Sequence, residues 1–89
     1  MIYRVEVSRR PASFLRRAGR ALQERLVRRL EELGEDPYDR LVSKPLQGRL
    51  AGLRSSRVGA YRILYYVDDE VRVVDVTEIG PRGDVYKDG

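Results

Sequence analysis

The sequence predicts a single α+β domain over residues 1–89, in the order βααβββ, with two N-terminal helices packed on one face of a mostly antiparallel four-stranded sheet. Three observations predict it. A leucine stripe at helical spacing occupies residues 22–33, segments rich in β-formers lie on both sides of it, and 89 residues leave room for one core and no second domain.

Residues 2–7, Ile-Tyr-Arg-Val-Glu-Val, come close to alternation and read as a first strand. Ser8-Arg9-Arg10-Pro11 then opens a helix, because proline is tolerated in a first turn, and Phe14 and Leu15 give that helix an apolar face. Gly19 marks the turn into a second helix. There Leu22, Leu26, Leu30 and Leu33 fall on one face, with Val27 expected to widen the stripe, and Gly34 and Asp36-Pro37 stop it. Arg25, Arg28 and Arg29 lie off the leucine seam and read as a solvated face. Residues 38–49 carry no period and read as a surface loop. Residues 50–55 read as a short strand, 58–67 as a longer one and 70–79 as another, the last two joined at Asp68-Asp69.

The composition excludes much chemistry. The chain has no cysteine and no histidine, which removes disulfides, thiolate nucleophiles, the usual zinc sites and histidine-based acid–base catalysis. No apolar run approaches the ~20 residues of a membrane helix, and the first ten residues lack a signal peptide's apolar stretch, so a cytoplasmic protein without a membrane partner is expected. No metal and no small-molecule cofactor is expected either.

The net charge is +4, and of 18 basic residues only Lys44 and Lys87 are lysine. Arg40, Lys44, Arg49, Arg54, Arg57 and Arg62 follow one another with no acidic residue between Asp39 and Asp68. Such a local positive field suits an anionic partner, and arginine's planar fork suits phosphate.

The stretch Leu53-Arg54-Ser55-Ser56-Arg57-Val58-Gly59-Ala60-Tyr61-Arg62-Ile63-Leu64-Tyr65 resembles the hallmark strand of the RelE/ParE toxin superfamily. Lys44-Pro45-Leu46-Gln47-Gly48 before it and Ile79-Gly80-Pro81-Arg82-Gly83-Asp84-Val85-Tyr86 after it match in order, and the leucine helix ending at Pro37 also fits, so the resemblance covers nearly the whole chain. It implies the toxin of a type II toxin–antitoxin system. Its implied partners are a cognate antitoxin, partly disordered when free, together with the ribosome and its messenger RNA.

RelE-like members cleave messenger RNA in the ribosomal decoding site without a metal, the RNA's own 2′-hydroxyl attacking the adjacent phosphate. By resemblance, Arg62, Arg82 and Tyr86 are the catalytic residues, the arginines placing charge and directed hydrogen bonds where the phosphorane develops. Lys44, Arg54, Arg57 and Tyr61 are the expected RNA-binding residues. ParE-like members instead inhibit DNA gyrase by binding, and a degenerate nucleic-acid- or antitoxin-binding module is a further alternative.

Two features complicate the match. Arg57 and Arg62 are five residues apart, which in one regular strand puts them on opposite faces, so a bulge at Gly59 is required to bring both to one site; Arg54 shares parity with Arg62 without one. One of the two is expected to join Arg62, and the family motif favours Arg57. In addition, Leu53-Arg54-Ser55-Ser56 stands where the best-studied RelE pattern carries lysines. That leaves Lys44 or Tyr86 to carry a proton, a role worth roughly 10²–10⁴-fold in rate.

Overall fold

The computed structural model describes residues 2–81. β1 (Arg4–Val7) leads into α1 (Arg9–Arg17) and α2 (Arg20–Glu35), followed by β2 (Lys44–Pro45), a single 3-10 turn at Gly48–Leu50, β3 (Arg54–Val58), β4 (Tyr61–Asp68) and β5 (Val73–Pro81). The strands form one sheet in the order β1-β5-β4-β3-β2, with β1 parallel to β5 and every other pair antiparallel. The α+β class and the two-helix layer stand as expected. The sheet has five strands rather than four because Lys44 and Pro45, inside the expected loop, pair with Ser55 and Arg54.

The leucine helix supplies the core. Leu26 and Leu33 are fully buried and Leu30 nearly so, against Val58, Ile63, Tyr65, Val74, Val76 and Ile79 of the sheet. Val27 does not widen this stripe: it is 41% exposed, on the side of α2 turned from the sheet. Gly34 does not end the helix either. It is buried inside the last turn, where its carbonyl accepts the Tyr3 backbone N–H at 2.8 Å and ties α2 to the entry of β1. The stop comes at Asp36, which is extended (φ −154°) as the residue before a proline tends to be.

Register explains why valines and isoleucines of mixed parity face one way. Across β4 and β5, Leu64 pairs with Glu78 but Tyr65 pairs with Val76, so Thr77 is the extra residue of a bulge. The bulge flips parity along β5 and lets both Val76 and Ile79 point at the helices. The bulge expected at Gly59 is absent: residues 59–60 form a turn between β3 and β4 instead of lying within one strand. Residues 69–72 likewise turn between β4 and β5, which moves the start of the last strand from 70 to Val73.

A polar chain crosses the core edge. The Tyr65 hydroxyl donates to the Pro37 carbonyl at 2.7 Å, so its remaining contact, with Ser43 Oγ at 2.5 Å, takes the serine as donor; Arg54 Nε donates in turn to Ser43 Oγ at 2.8 Å. Burial pushes the Tyr65 phenol up, partly offset by Ser43 and Arg54. This chain anchors the segment after α2 to the sheet.

A second anchor sits at the surface. Asp69 accepts the Tyr3 hydroxyl on one carboxylate oxygen and the Tyr38 hydroxyl on the other, each at 2.5 Å, tying β1, the segment after α2 and the β4–β5 turn together. The Tyr3 and Tyr38 hydrogen bonds hold the Asp69 carboxyl below the usual range, while the bond to Asp69 pushes Tyr38 up to about 12. A depressed carboxylate stabilises the fold above its unfolded value of about 4 and loses that contribution as pH falls through the folded value. Asp69→Asn is therefore expected to lower the melting temperature at neutral pH and to lower it progressively less as pH falls below about 5. Thermal melts by circular dichroism check this, and a deficit unchanged down to acid would show that ionisation of Asp69 contributes nothing.

Candidate functional site

The hairpin of β3 and β4 builds the site. Gly59 takes φ 60° at the first central position of a two-residue turn, where a type II′ hairpin needs glycine. That turn pairs Val58 with Tyr61 and Arg57 with Arg62. Ser56, Val58 and Ile63 face the helices, so alternation sends Ser55, Arg57, Arg62 and Leu64 to the far face. Like charges placed directly opposite in a sheet are destabilising. Holding two arginines opposite each other thus concentrates positive charge at this point of the far face.

Arg62 is 7% exposed, and its Nη1 donates to Ser55 Oγ at 3.3 Å. Lys44 pairs with Ser55 across β2 and β3 and comes to the same place. Arg29, Arg40, Lys44, Ser55, Arg57 and Arg62 line an open pocket of about 250 Å³, and no acidic residue lies among its described lining residues. Its size is below the ~300–1,000 Å³ of pockets that enclose a drug-sized ligand, so it suits one charged group of an extended molecule.

The expected site residues divide. Lys44, Arg57 and Arg62 come together, through a hairpin turn instead of a bulge. Arg54 does not join them: it pairs with Tyr65, faces the helix side, donates to Ser43 and lies 5.1 Å over the Tyr38 ring. Tyr61 also faces the helices, its ring 5.9 Å from that of Phe14. Arg82 and Tyr86 lie outside the described residues.

Two residues at the site, Arg29 and Leu41, were not singled out for it by sequence. Arg29, read as part of a solvated face, is a clamp: its Nη1 donates to Ser56 Oγ at 2.9 Å and to the Arg57 carbonyl at 2.7 Å, while its Nε donates to Glu32 at 2.8 Å. β2 covers only Arg54 and Ser55, so the edge of β3 beyond them has no strand partner on that side, and Arg29 satisfies it. Leu41, at the pocket rim, is 91% exposed, and Tyr66 lies on the far face with Arg62. No sequence signal marks Arg29, since arginine on the polar side of a helix is the default.

The fold superposes on the RelBE2 toxin–antitoxin complex of Mycobacterium tuberculosis with a TM-score of 0.81 and 30% identity, covering 92% of this chain and 100% of that one. It superposes on the archaeal RelE–RelB complex of Pyrococcus horikoshii with a TM-score of 0.79 and 26% identity, covering 93% and 98%. Two helices on one face of a small sheet in this topology thus define a RelE-fold domain. The chain belongs to the family of ParE toxins of type II toxin–antitoxin systems, whose model matches residues 5–86. Toxin RelG of Mycobacterium tuberculosis is 46% identical over 46 residues, covering 52% of this chain and 53% of that protein. The chain spans about half the length of the curated relatives it matches.

Arg29→Ala strips the buried Ser56 hydroxyl and an edge carbonyl of their partner, which is expected to cost on the order of 1–3 kcal/mol in urea unfolding. Arg29→Lys should recover only part of this, because an ammonium lacks the fork that spans three acceptors. Unchanged stability in the alanine variant would remove the clamp.

Proposed function

We propose that this toxin is a metal-independent endoribonuclease that cuts messenger RNA on the ribosome and so halts translation. The observation that carries the reading is the opposed pair Arg57 and Arg62 with Lys44 beside them in a pocket whose described lining residues include no acidic one. In the proposed reaction the 2′-oxygen of one nucleotide attacks the adjacent phosphorus and gives up its proton. The bond from phosphorus to the 5′-oxygen then breaks, and that oxygen takes a proton, leaving a 2′,3′-cyclic phosphate and a free 5′-hydroxyl.

Arg62 and Arg57 hold the phosphorane oxygens, a contribution of order 10²–10³-fold for each well-placed donor. Arg82 and Tyr86 keep the roles their family motif implies, a second phosphorane contact and orientation of the attacking hydroxyl. Lys44 lines the same pocket, and its ammonium is the proposed proton donor to the leaving 5′-oxygen, while the 2′-hydroxyl proton passes to solvent water because residues 53–56 carry no lysine to take it. A cognate antitoxin covers this basic surface when the toxin is silent; the relatives solved as toxin–antitoxin complexes support such a partner. A second reading, inhibition of DNA gyrase by binding alone, draws support from the family description, which names ParE.

Primer extension on a messenger translated in a cell-free system tests the choice. New ends inside the decoding-site codon are expected with the purified chain and absent with the Arg62→Ala/Arg82→Ala variant. Lys44→Ala should slow cutting by roughly 10²-fold or more, whereas Tyr61→Ala should affect stability and leave the cleavage rate of folded protein near the parent's. An uncut messenger from an active preparation would turn the reading to gyrase, with a supercoiling assay next.

A further inference from the structure

The basic surface does not end at the pocket. On the other side of Arg29, between α2 and the open edge of β3, lies a second groove of about 200 Å³ lined by Arg25, Arg28, Arg29, Arg57 and Glu32, with Val58 and Gly59 at its floor. The two cavities share Arg29 and Arg57. Arg29 is committed to Ser56, the Arg57 carbonyl and Glu32, and this last contact also neutralises the one carboxylate in the groove. Arg25, Arg28 and Arg57 form no ion pair among the described residues, although Arg20 on the same helix pairs with Glu24. The Arg25 guanidinium lies so close over the turn that a side-chain carbon at Gly59 would come within 2.7 Å of its Nη2. Glycine at that position therefore serves the turn and also leaves Arg25 its place over the groove.

We infer that this groove is a second phosphate subsite, which takes the backbone of the same RNA strand beyond the phosphate held at Arg57 and Arg62. This rests on the reading of the chain as an RNA-cutting toxin. Three unneutralised guanidinium forks suit phosphodiester oxygens, and continuity through Arg57 suits a strand that enters one cavity from the other. An acidic protein segment would also meet the charge, but such segments anchor through apolar side chains. Among its described lining residues the groove offers none exposed: Val58 is 5% exposed, and Ile2, Val27, Leu41 and Val71 lie outside it, Leu41 at the rim of the adjoining pocket.

The test uses the purified toxin with a fluorescently labelled trinucleotide and octanucleotide of single-stranded RNA, followed by anisotropy over a range of salt. Arg25→Ala/Arg28→Ala is expected to weaken the octanucleotide about tenfold or more, to reduce the slope of log K against log salt by about 1.4 for two lost phosphate contacts, and to leave the trinucleotide unchanged. Arg25→Lys/Arg28→Lys keeps the charge and should restore the slope, which separates phosphate contact from damage to the helix. Octanucleotide binding lost with Arg57→Ala/Arg62→Ala yet untouched by Arg25→Ala/Arg28→Ala would overturn the subsite and leave the proposed activity standing. Failure of either RNA to bind the parent protein would overturn both. RNA binding unchanged in the double variant while an acidic peptide is released would assign the groove to a protein and overturn the inference.

Discussion

A turn of two residues leaves its strands no freedom of register, and the far face of this sheet depends on that constraint. With Gly59 and Ala60 as the whole connection, Val58 meets Tyr61 and every later pair follows. Val58, Ile63 and Tyr65 go to the leucines of α2, while Arg57 and Arg62 go to the opposite face. A slip of one strand by one residue would drive its arginine toward the core and its apolar set into water. The same turn that positions the arginines thus commits them to that position through the packing of their neighbours.

The arginines of this chain divide their labour, and composition alone cannot say how. Arg54 is drawn into the polar chain through Ser43 to Tyr65 and stacks on Tyr38. Arg29 completes the edge of β3. Arg57 and Arg62 oppose each other on the far face of the sheet. Three structural settings, a core margin, a strand edge and a sheet face, use the same guanidinium for packing, for hydrogen bonding and for field.

How far the sequence could be read follows from the range of the interactions involved. The leucine helix, the first strand and the α+β class were readable because periodicity and turn residues are local signals. The limits of β3 and β4 were not, since Leu53 through Tyr65 holds no proline and no acidic residue to break it, and Gly59 suits a bulge as well as a turn; the pairing of Val58 with Tyr61 decides for the turn. With a turn there, Arg57 stands opposite Arg62, and Arg54, which parity in one strand would put beside Arg62, goes to the other face. The short β2 was hidden for a different reason: two residues carry no period, and Lys44 and Pro45 are strand residues only because Ser55 and Arg54 lie beside them. Val27 and Arg29 show the residual limit of a helical wheel, which gives the side of a helix but not what approaches it.

The parallel pairing of β1 with β5 bears on how the molecule comes into being. Arg4 meets Val73 and Val7 meets Val76, so β1 has no neighbour in the sheet until β5 has been made. The antiparallel strands β3, β4 and β5 are consecutive and can zip together locally, whereas closing β1 onto β5 spans the whole domain and bears the loop-closure entropy last. A nascent chain therefore carries β1 unpaired while α1, α2 and the other strands are made, and the sheet closes only once β5 has emerged.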